Sequence, residues 1–258
     1  MPILQASNIS RKFGGLTAVD NVSFDIEPGT ITSLVGPNGA GKTTLFNLVS
    51  RLLPPSSGQL FFKGEDVTSL SAHEVAQRGL GRTFQDPRMF YEMTVLDHVL
   101  TGFSLPDENP LLAIVRTHRV RSARRDAIAQ AYELLEQAGL KERASDLAQD
   151  LSFGEQRFLS IARTLAGNPT FILLDEPSVG LDRNVVEQLK RTVTTLARER
   201  GKTILIIEHN LDLIFEISDQ IHLLVNGKIA LSGTPSELKR HPTMIEAYLG
   251  DAHAALGA

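Results

Sequence analysis

Leu151–Asp182 reads LSFGEQRFLSIARTLAGNPTFILLDEPSVGLD and joins a polar helix start to an apolar strand that ends in two carboxylates. Ser152 and Glu155 have the spacing of a capping box, which marks the first turn of a helix. Apolar residues then recur at helical spacing, at Phe158, Ile161, Ala162 and Leu165. The wholly apolar run Phe171–Leu174 suits a strand buried in a parallel sheet. The stretch therefore predicts a helix followed by a buried strand with acidic residues at its end.

A glycine-rich segment upstream fits the pattern G-x-x-x-x-G-K-[ST]. Its residues are Gly36, Pro37, Asn38, Gly39, Ala40, Gly41, Lys42 and Thr43. A β-rich run precedes the segment, and the helical pattern TTLFNLVSRLL follows it up to Pro54. Glycines allow backbone N–H groups to turn inward around phosphates at the positive end of the following helix. Lys42 can then reach the β and γ phosphates, and Thr43 can offer a hydroxyl to Mg²⁺, so the segment predicts a nucleoside triphosphate site.

The two carboxylates are candidates for the chemistry at that site. Asp175 ends an apolar strand, where a buried carboxylate is costly without a metal or a partner, so we expect it to anchor Mg²⁺. Glu176 follows directly and can polarise, as a general base, a water that attacks the γ phosphate. The alternative is an acidic turn after a core strand.

Composition excludes several classes of protein. The chain has 258 residues, a formal net charge of -4 and no cysteine. Disulfides, thiolate catalysis and Cys-based metal sites are therefore excluded. The negative charge argues against a nucleic-acid binder, which relies on an excess of Lys and Arg. Because the apolar runs are shorter than the roughly 18 residues of a membrane span and the N-terminus lacks the apolar core of a signal peptide, we expect neither a transmembrane helix nor export.

The chain alternates between β-rich and helical regions, which indicates an α/β fold. Short β-rich runs occupy Ile3–Ile9, Val22–Ile26 and Ile31–Val35. The region from Thr94 to about Ala166 is mainly helical in pattern. Its helical spacing is clearest at Ala127, Ala131, Leu134, Leu135 and Ala138. The α/β pattern then resumes and includes a predicted hairpin whose two-residue turn is Asn226-Gly227.

LSFGEQ, LLDEPSVGLD and the glycine-rich P-loop together closely resemble the ATP-binding cassette (ABC) ATPases, and the resemblance covers nearly the whole chain. It implies an α/β P-loop NTPase fold with a RecA-like core, an N-terminal antiparallel β part and a helical subdomain. A single ABC ATP-binding domain would span residues 1–258. The core and β part would comprise about 1–85 and 167–235, the helical subdomain about 86–166, and a C-terminal helical tail about 236–258.

The resemblance also implies that ATP lies between two cassettes arranged head to tail. Ser152 and Gly154 would contact the γ phosphate of ATP held by the opposite cassette. The segment departs from the usual LSGGQ at two positions, where Phe153 replaces a glycine and Glu155 replaces the glutamine. Asp182 would cross the interface between the cassettes, or, without that role, cap the following helix.

Three further positions match functional residues of the family. Gln85 would touch Mg²⁺ and the attacking water, and His209 would sense or stabilise the γ phosphate as a catalytic group beside Glu176 and Lys42. Phe13 would stack on adenine, although burial in the core would stabilise a phenylalanine by a similar amount. The nucleotide-binding set extends through Thr44 at the start of the helix after the P-loop.

A narrower resemblance lies in FGGLTAVDNVSF, GPNGAGKTTLFNLVS, GRTFQ, EMTVLDHVL and MIEAYLG. These segments look like the ATPase subunits of bacterial importers for branched-chain (hydrophobic) amino acids. The resemblance implies ATP and Mg²⁺ as ligands and a location on the cytoplasmic face of the inner membrane. The implied partners are membrane permease subunits, a second identical or related cassette and, indirectly, a periplasmic binding protein.

Two alternatives remain open from the sequence. One is the ATPase of another transporter, such as lipopolysaccharide export or urea uptake, because the ATPase subunit need not touch the transported molecule. The other is a soluble ABC ATPase acting on ribosomes or DNA. Such proteins usually carry two cassettes or a long insertion, whereas this chain has one compact cassette, so we expect no nucleic-acid partner.

A cationic run has no motif of its own. It consists of Arg116, His118, Arg119, Arg121, Arg124 and Arg125. A solvated helical face is the favoured interpretation, and contact with a membrane subunit or lipid head groups is the alternative.

Overall fold

The computed structural model of the protein describes residues 1–103 and 117–247, with side chains from residue 122 onward in the second range. The described chain divides into two compact units. The first unit comprises Met1–Arg82, Thr170–Val179 and the chain from Val186 onward. The second unit comprises the described residues of Thr83–Pro169 together with Gly180–Val185. The first unit carries both β-sheets, and the second is mainly helical.

The two sheets of the first unit differ in strand direction. The strands are β1 (Leu4–Phe13), β2 (Leu16–Ile26), β3 (Ile31–Val35), β4 (Ser57–Phe62), β5 (Glu65–Asp66), β6 (Leu80–Arg82), β7 (Phe171–Asp175), β8 (Thr203–Ile207), β9 (Gln220–Val225) and β10 (Lys228–Gly233). An antiparallel sheet has the order β2-β1-β4-β5, and a larger sheet has the order β10-β9-β3-β8-β7-β6. In the larger sheet β9, β3, β8, β7 and β6 run parallel, and β10 pairs antiparallel with β9.

Helices cover the parallel sheet and form the second unit. They are α1 (Lys42–Val49), α2 (Ala72–Gln77), α3 (Val95–Leu100), α4 (Thr117–Gln137), α5 (Phe153–Ala166), α6 (Arg183–Arg198), α7 (Leu211–Ile217) and α8 (Pro235–Leu238). Residues 242–247 are also helical. Among the helices of the described ranges, none combines the length and apolar character that a bilayer span requires.

The parallel strands are apolar because the sheet is covered on both faces. β3, β7 and β8 are buried along their whole length. Adjacent residues of β3 point to opposite faces: Leu34 packs in a core shared with α1 and the antiparallel sheet, and Val35 packs with Ile214 of α7. Each fully buried side chain of this kind contributes about 1.5 to 3 kcal/mol, so the two cores hold the first unit together.

Local signals set several element boundaries, among them the predicted start of the helical region at Thr94 and the predicted hairpin turn. The capping box of Ser71 with Glu74 opens α2, and the Thr94 side chain caps α3. In the β9–β10 turn both Asn226 and Gly227 have positive φ, at 48° and 76°, as a two-residue hairpin turn with this sequence requires.

Three boundaries differ from the predicted ones. β2 begins at Leu16, six residues before the predicted start at Val22. α1 ends at Val49, well before Pro54, because Arg51 adopts a positive φ of 59° that terminates the helix. β1 continues past Ile9 to Phe13, since β2 pairs with it along that length.

In the second unit, α3, α4 and α5 pack against one another. The predicted apolar face of α4 is buried at Ala127, Ala131 and Leu135. Arg124 and Arg125 are exposed, whereas the side chains of the earlier part of the cationic run lie outside the described residues. The final segment of the chain, DAHAALGA, also lies outside them.

Two histidines are buried in the fold. His222 of β9 is 5% exposed, contacts the Phe24 ring and bonds through Nδ1 to Ser232 Oγ at 2.7 Å. Burial lowers the pKa of His222 to about 4. His98 of α3 accepts the Phe90 N–H through Nε2 at 2.8 Å, and burial, with the nearby Arg163 charge, lowers the pKa of His98 to about 4. Both rings are therefore neutral at pH 7.

We predict that acid destabilises the protein through these histidines. An unfolded histidine titrates near pH 6.5, so between about pH 6.5 and 4 the unfolded chain binds more protons and stability falls as pH falls. His222 alone should lower the free energy of unfolding by about 2 kcal/mol between pH 7 and pH 5.

Urea unfolding followed by circular dichroism at pH 7 and pH 5 measures this loss. His222→Leu should lose about 2 kcal/mol less than the wild type over that interval, and His73→Gln, at an exposed position, should match the wild type. Equal losses in all three proteins would show that His222 does not carry the effect.

Candidate functional site

A pocket of about 510 Å³ opens where the parallel strands of the first unit end. Parallel strands place their carboxyl ends on one edge of a sheet, and ligands bind at that edge. The pocket is lined by residues 38–44, by Phe13, Leu16, Thr17 and Ala18 of the β1–β2 hairpin, by Glu176 and His209, and by the turn Asn226-Gly227. The structure thus brings Phe13, the P-loop, Glu176 and His209 together, as the sequence predicts for a single site.

The P-loop is held from two sides. Gly41 has φ of 103°, and a Cβ there would lie 2.3 Å from the Ala18 carbonyl oxygen of β2. On the other side, the Gly227 N–H of the β9–β10 turn donates to Ala40 O at 2.9 Å. The loop therefore depends on close backbone contact with both neighbours.

The start of α1 faces the pocket without a side-chain cap, since Gly41 occupies the N-cap position. Backbone N–H groups in the first turn of a helix attract anions. Lys42 is 7% exposed, and its Nζ donates to Gly36 O at 2.7 Å and to Pro37 O at 2.9 Å. The lysine thus folds over the loop and places its charge beside the helix N-terminus, an arrangement suited to phosphate groups.

Glu176 and His209 form a pair at the mouth of the pocket. His209 Nε2 lies 2.8 Å from Glu176 Oε1. Glu176 has a positive φ of 46°, a conformation that costs a non-glycine residue about 1 to 3 kcal/mol and that clusters at functional sites. Its backbone N–H donates to Ile207 O at 3.0 Å, which fixes the turn after β7 against β8.

A third carboxylate supports this pair. Glu208 is fully buried and accepts hydrogen bonds from Ser178 N at 2.6 Å, Ser178 Oγ at 2.7 Å and His209 N at 3.1 Å. It therefore ties the loop after β7, which carries Glu176, to the loop after β8, which carries His209. This role of Glu208 could not be predicted from the sequence, where its position at the end of an apolar strand is the only signal.

Asp175 lies deeper, at the end of β7, and is 5% exposed. Its Oδ2 accepts a hydrogen bond from the Arg82 guanidinium at 2.8 Å in a buried ion pair. A metal or a partner is expected for Asp175 from its position, but the identity of Arg82 as that partner could not be predicted, since it lies 93 positions away in the chain.

The other predicted site residues belong to the second unit. Ser152 is the N-cap of α5, and Glu155 Oε2 accepts from both its N–H and its hydroxyl, so the predicted capping box forms. Burial opposes ionisation of Glu155, but hydrogen bonds from Ser152 and Arg143 outweigh it and leave the pKa of Glu155 below its usual value.

Gly154, Asp182 and Gln85 lie in three separate segments of the second unit. A Cβ on Gly154 would lie 3.1 Å from Val185 Cγ1. Asp182 caps α6, because its Oδ1 accepts the N–H groups of Asn184 and Val185 at 2.8 Å and 3.1 Å. The carbonyl oxygen of Gln85 accepts a hydrogen bond from the Arg157 guanidinium.

Comparison with known proteins identifies the family. The family model described as ABC transporter matches residues 19–179, a range that contains the P-loop, Ser152, Asp175 at the end of β7 and Glu176 after it. The chain belongs to the ABC transporter family. As a member of it, the protein is an ABC-type ATPase, and the expected family and fold class are confirmed.

Relatives of the ABC cassette match over nearly its full length. The High-affinity branched-chain amino acid transport ATP-binding protein BraF of Pseudomonas aeruginosa is 38% identical over 252 residues, which is 97% of this chain and 99% of the relative. The ADP conformation of an ATP-binding cassette of an ABC transporter superposes with a TM-score of 0.84 at 32% identity and covers 97% of this chain and 99% of that one.

A dimeric ABC cassette in a post-hydrolysis state, bound to ADP and Pi, is similar at a TM-score of 0.74 and 26% identity. The similarity covers 90% of this chain and 98% of that one. The nucleotide and the dimer are properties of that structure.

We predict that the P-loop tolerates a methyl group at Gly39 far better than at Gly41. Both have positive φ, which costs an alanine about 1 to 2 kcal/mol, but the space beside Gly39 is open, whereas Gly41 meets the Ala18 carbonyl. The clash adds about 1 to 3 kcal/mol at Gly41.

Denaturant unfolding without nucleotide measures both variants. Gly41→Ala should lose about 1 to 3 kcal/mol more stability than Gly39→Ala. Similar losses would mean that the P-loop is not held against β2.

Proposed function

We propose that this chain is the ATP-hydrolysing subunit of a bacterial ABC importer for branched-chain or other hydrophobic amino acids. The observation that carries the proposal is one pocket lined by the uncapped P-loop helix, by Lys42 and by the Glu176–His209 pair. An anion-binding helix start beside a positioned carboxylate suits hydrolysis of a phosphoanhydride.

Phosphate binding is assigned to the P-loop. Its backbone N–H groups and the dipole of α1 attract the phosphates, and Lys42 adds a full positive charge. Lys42 Nζ now bonds to the Gly36 and Pro37 carbonyls, and ATP would exchange those bonds for bonds to phosphate oxygens. Phe13, 43% exposed at the end of β1, offers a ring face to adenine.

Mg²⁺ fits the donors that the site offers. Thr43 and Asp175 provide a hydroxyl and a carboxylate, which are hard oxygen donors. Among the described residues no group of three or more His, Cys, Asp or Glu could hold a metal, in keeping with an ion bound largely by phosphate oxygens and water. When bound, Mg²⁺ would neutralise charge on the phosphates.

Glu176 is assigned as the general base that takes a proton from the attacking water. Its carboxylate lies at the pocket, held 2.8 Å from the His209 ring, and its backbone is fixed against β8. His209 orients the carboxylate and, from the same position, can contact the γ phosphate. Gln85 would help to hold the water.

Hydrolysis is proposed to require a second cassette, either another copy of this chain or a related one. Ser152 and Gly154, at the start of α5, would bind the γ phosphate of ATP held by that partner, because a helix N-terminus offers N–H groups to an anion. Asp182 would couple the two sites. The dimeric relative supports this arrangement.

The transport role follows from the relatives whose whole length this chain matches. BraF is a branched-chain amino acid transport ATP-binding protein, and this favours amino-acid import over lipopolysaccharide export, urea uptake or a role on ribosomes or DNA. The chain would act on the cytoplasmic face of the inner membrane with permease subunits, and a periplasmic binding protein would supply the amino acid. We propose no nucleic-acid partner.

We predict that Glu176→Gln removes turnover and keeps binding. Loss of a general base lowers kcat by about 10²- to 10⁴-fold, whereas the amide retains the size of the side chain and the residues of the P-loop are unaltered. Steady-state ATPase assays and ATP titrations measure the two effects, with Glu187→Gln on the exposed face of α6 as the matched control.

The same pair of variants tests the transport role in cells that lack the native gene. Wild-type chain and Glu187→Gln should restore uptake of radiolabelled leucine, isoleucine and valine, and Glu176→Gln should not. Wild-type ATPase rates in Glu176→Gln would refute the assignment of Glu176 as the general base. Normal amino-acid uptake in the deletion strain would refute the assignment of branched-chain amino acids as the transported substrates.

A further inference from the structure

Arg82 ends β6 and is the ion-pair partner of a proposed metal ligand, Asp175. Its side chain and that of Asp175 are only 8% and 7% exposed, and the NH2 group lies 2.8 Å from Asp175 Oδ2. Two charges buried together depend on each other strongly, since removal of either takes an opposite charge away from the other. Arg82 therefore matters to the one carboxylate that is assigned to Mg²⁺.

The other terminal nitrogen of the Arg82 guanidinium bonds to α1 and to the residue that caps its C-terminus. This NH1 group donates to Asn47 Oδ1 at 2.8 Å and to Ser50 Oγ at 2.6 Å, and the guanidinium carbon lies 5.4 Å from the centre of the Phe46 ring. α1 begins at the P-loop. Arg82 thus joins the helix that starts at the phosphate site to the strand that ends at the metal ligand.

We propose that Arg82 is a positioning residue of the metal site, which holds the Asp175 carboxylate in place and compensates its charge in the nucleotide-free protein. The proposal rests on the assignment of Asp175 to Mg²⁺ in the proposed function. Arg82 and Mg²⁺ then compensate one carboxylate, so each stabilises the protein less when the other is present.

Because Arg82 and Mg²⁺ would compensate the same carboxylate, their effects on stability distinguish a positioning role of Arg82 from a purely structural one. If Arg82 only tethered α1, its loss would lower stability by the same amount with and without metal. If Arg82 compensates the charge of Asp175, Mg²⁺ should restore part of the stability that is lost when Arg82 is replaced. The metal-dependent rise in melting temperature is therefore larger without Arg82.

Thermal unfolding tests this in the full chain, with a non-hydrolysable ATP analogue and either Mg²⁺ or EDTA. In EDTA, Arg82→Gln should melt on the order of 10 °C below the wild type. Added Mg²⁺ should raise its melting temperature by several degrees more than that of the wild type. Arg82→Lys, which keeps the charge, should show an increment close to that of the wild type.

Two controls distinguish the effect of the Arg82 charge on Asp175 from the effect of the hydrogen bonds between Arg82 and α1. Asn47→Ala removes one tether to α1 and keeps the ion pair, so its Mg²⁺ increment should equal that of the wild type. Without nucleotide, the double variant Arg82→Gln/Asp175→Asn should lose less stability than the sum of the two single losses, because it contains neither charge of the ion pair.

The proposal is overturned if Arg82→Gln shows a Mg²⁺ increment equal to or smaller than that of the wild type, or if the two single losses add. Failure of the proposed function would look different. The analogue would then fail to bind the wild-type chain, whereas the nucleotide-free comparison of the single and double variants would still hold.

Discussion

Two carboxylates are buried where the parallel strands end, and the site depends on how each is compensated, because an uncompensated charge inside a protein is strongly destabilising. Asp175 pairs with Arg82, which is fixed to α1, so the phosphate-binding helix and the strand of the proposed metal ligand are joined. Glu208 accepts three hydrogen bonds from Ser178 and His209, so the loops after β7 and β8 are joined as well. The positions of Lys42, Glu176 and His209 follow from these two connections.

The antiparallel sheet and the β9–β10 turn also contact the P-loop, at the edge where the parallel strands end. The antiparallel sheet brings Phe13 and Ala18 to the P-loop, and the β9–β10 turn bonds to it from the other side. A glycine-rich loop has little conformational preference of its own, so its shape must come from the backbone around it. The anion-binding geometry is thus a product of tertiary structure as much as of the motif.

Much of this could be predicted from the sequence, and the limit has a physical cause. Patterns that act over a few residues gave the capping box at Ser152, the hairpin turn at Asn226 and the buried strand before Asp175, each of which the structure contains. The partners of the buried carboxylates could not be predicted, since Arg82 meets Asp175 only through the pairing of β6 with β7. Strand order and register determine such contacts, and periodicity carries no information about them.

The central claim is that one chain supplies two separate parts of a hydrolytic site: Lys42 and Glu176 for its own ATP, and Ser152 and Gly154 for ATP held by a partner. Mixing two inactive variants tests it most directly. Lys42→Ala removes the positive charge that would bind the phosphates of the chain's own ATP. Ser152→Asp keeps a helix cap but sets a negative charge against the phosphate held by the partner. In a mixed dimer, the unaltered P-loop of the Ser152→Asp chain meets the unaltered Ser152 and Gly154 of the Lys42→Ala chain, which makes one intact site. The mixture should therefore show ATPase activity that neither variant shows alone. A mixture no more active than its components, or full activity of Ser152→Asp alone, would contradict it.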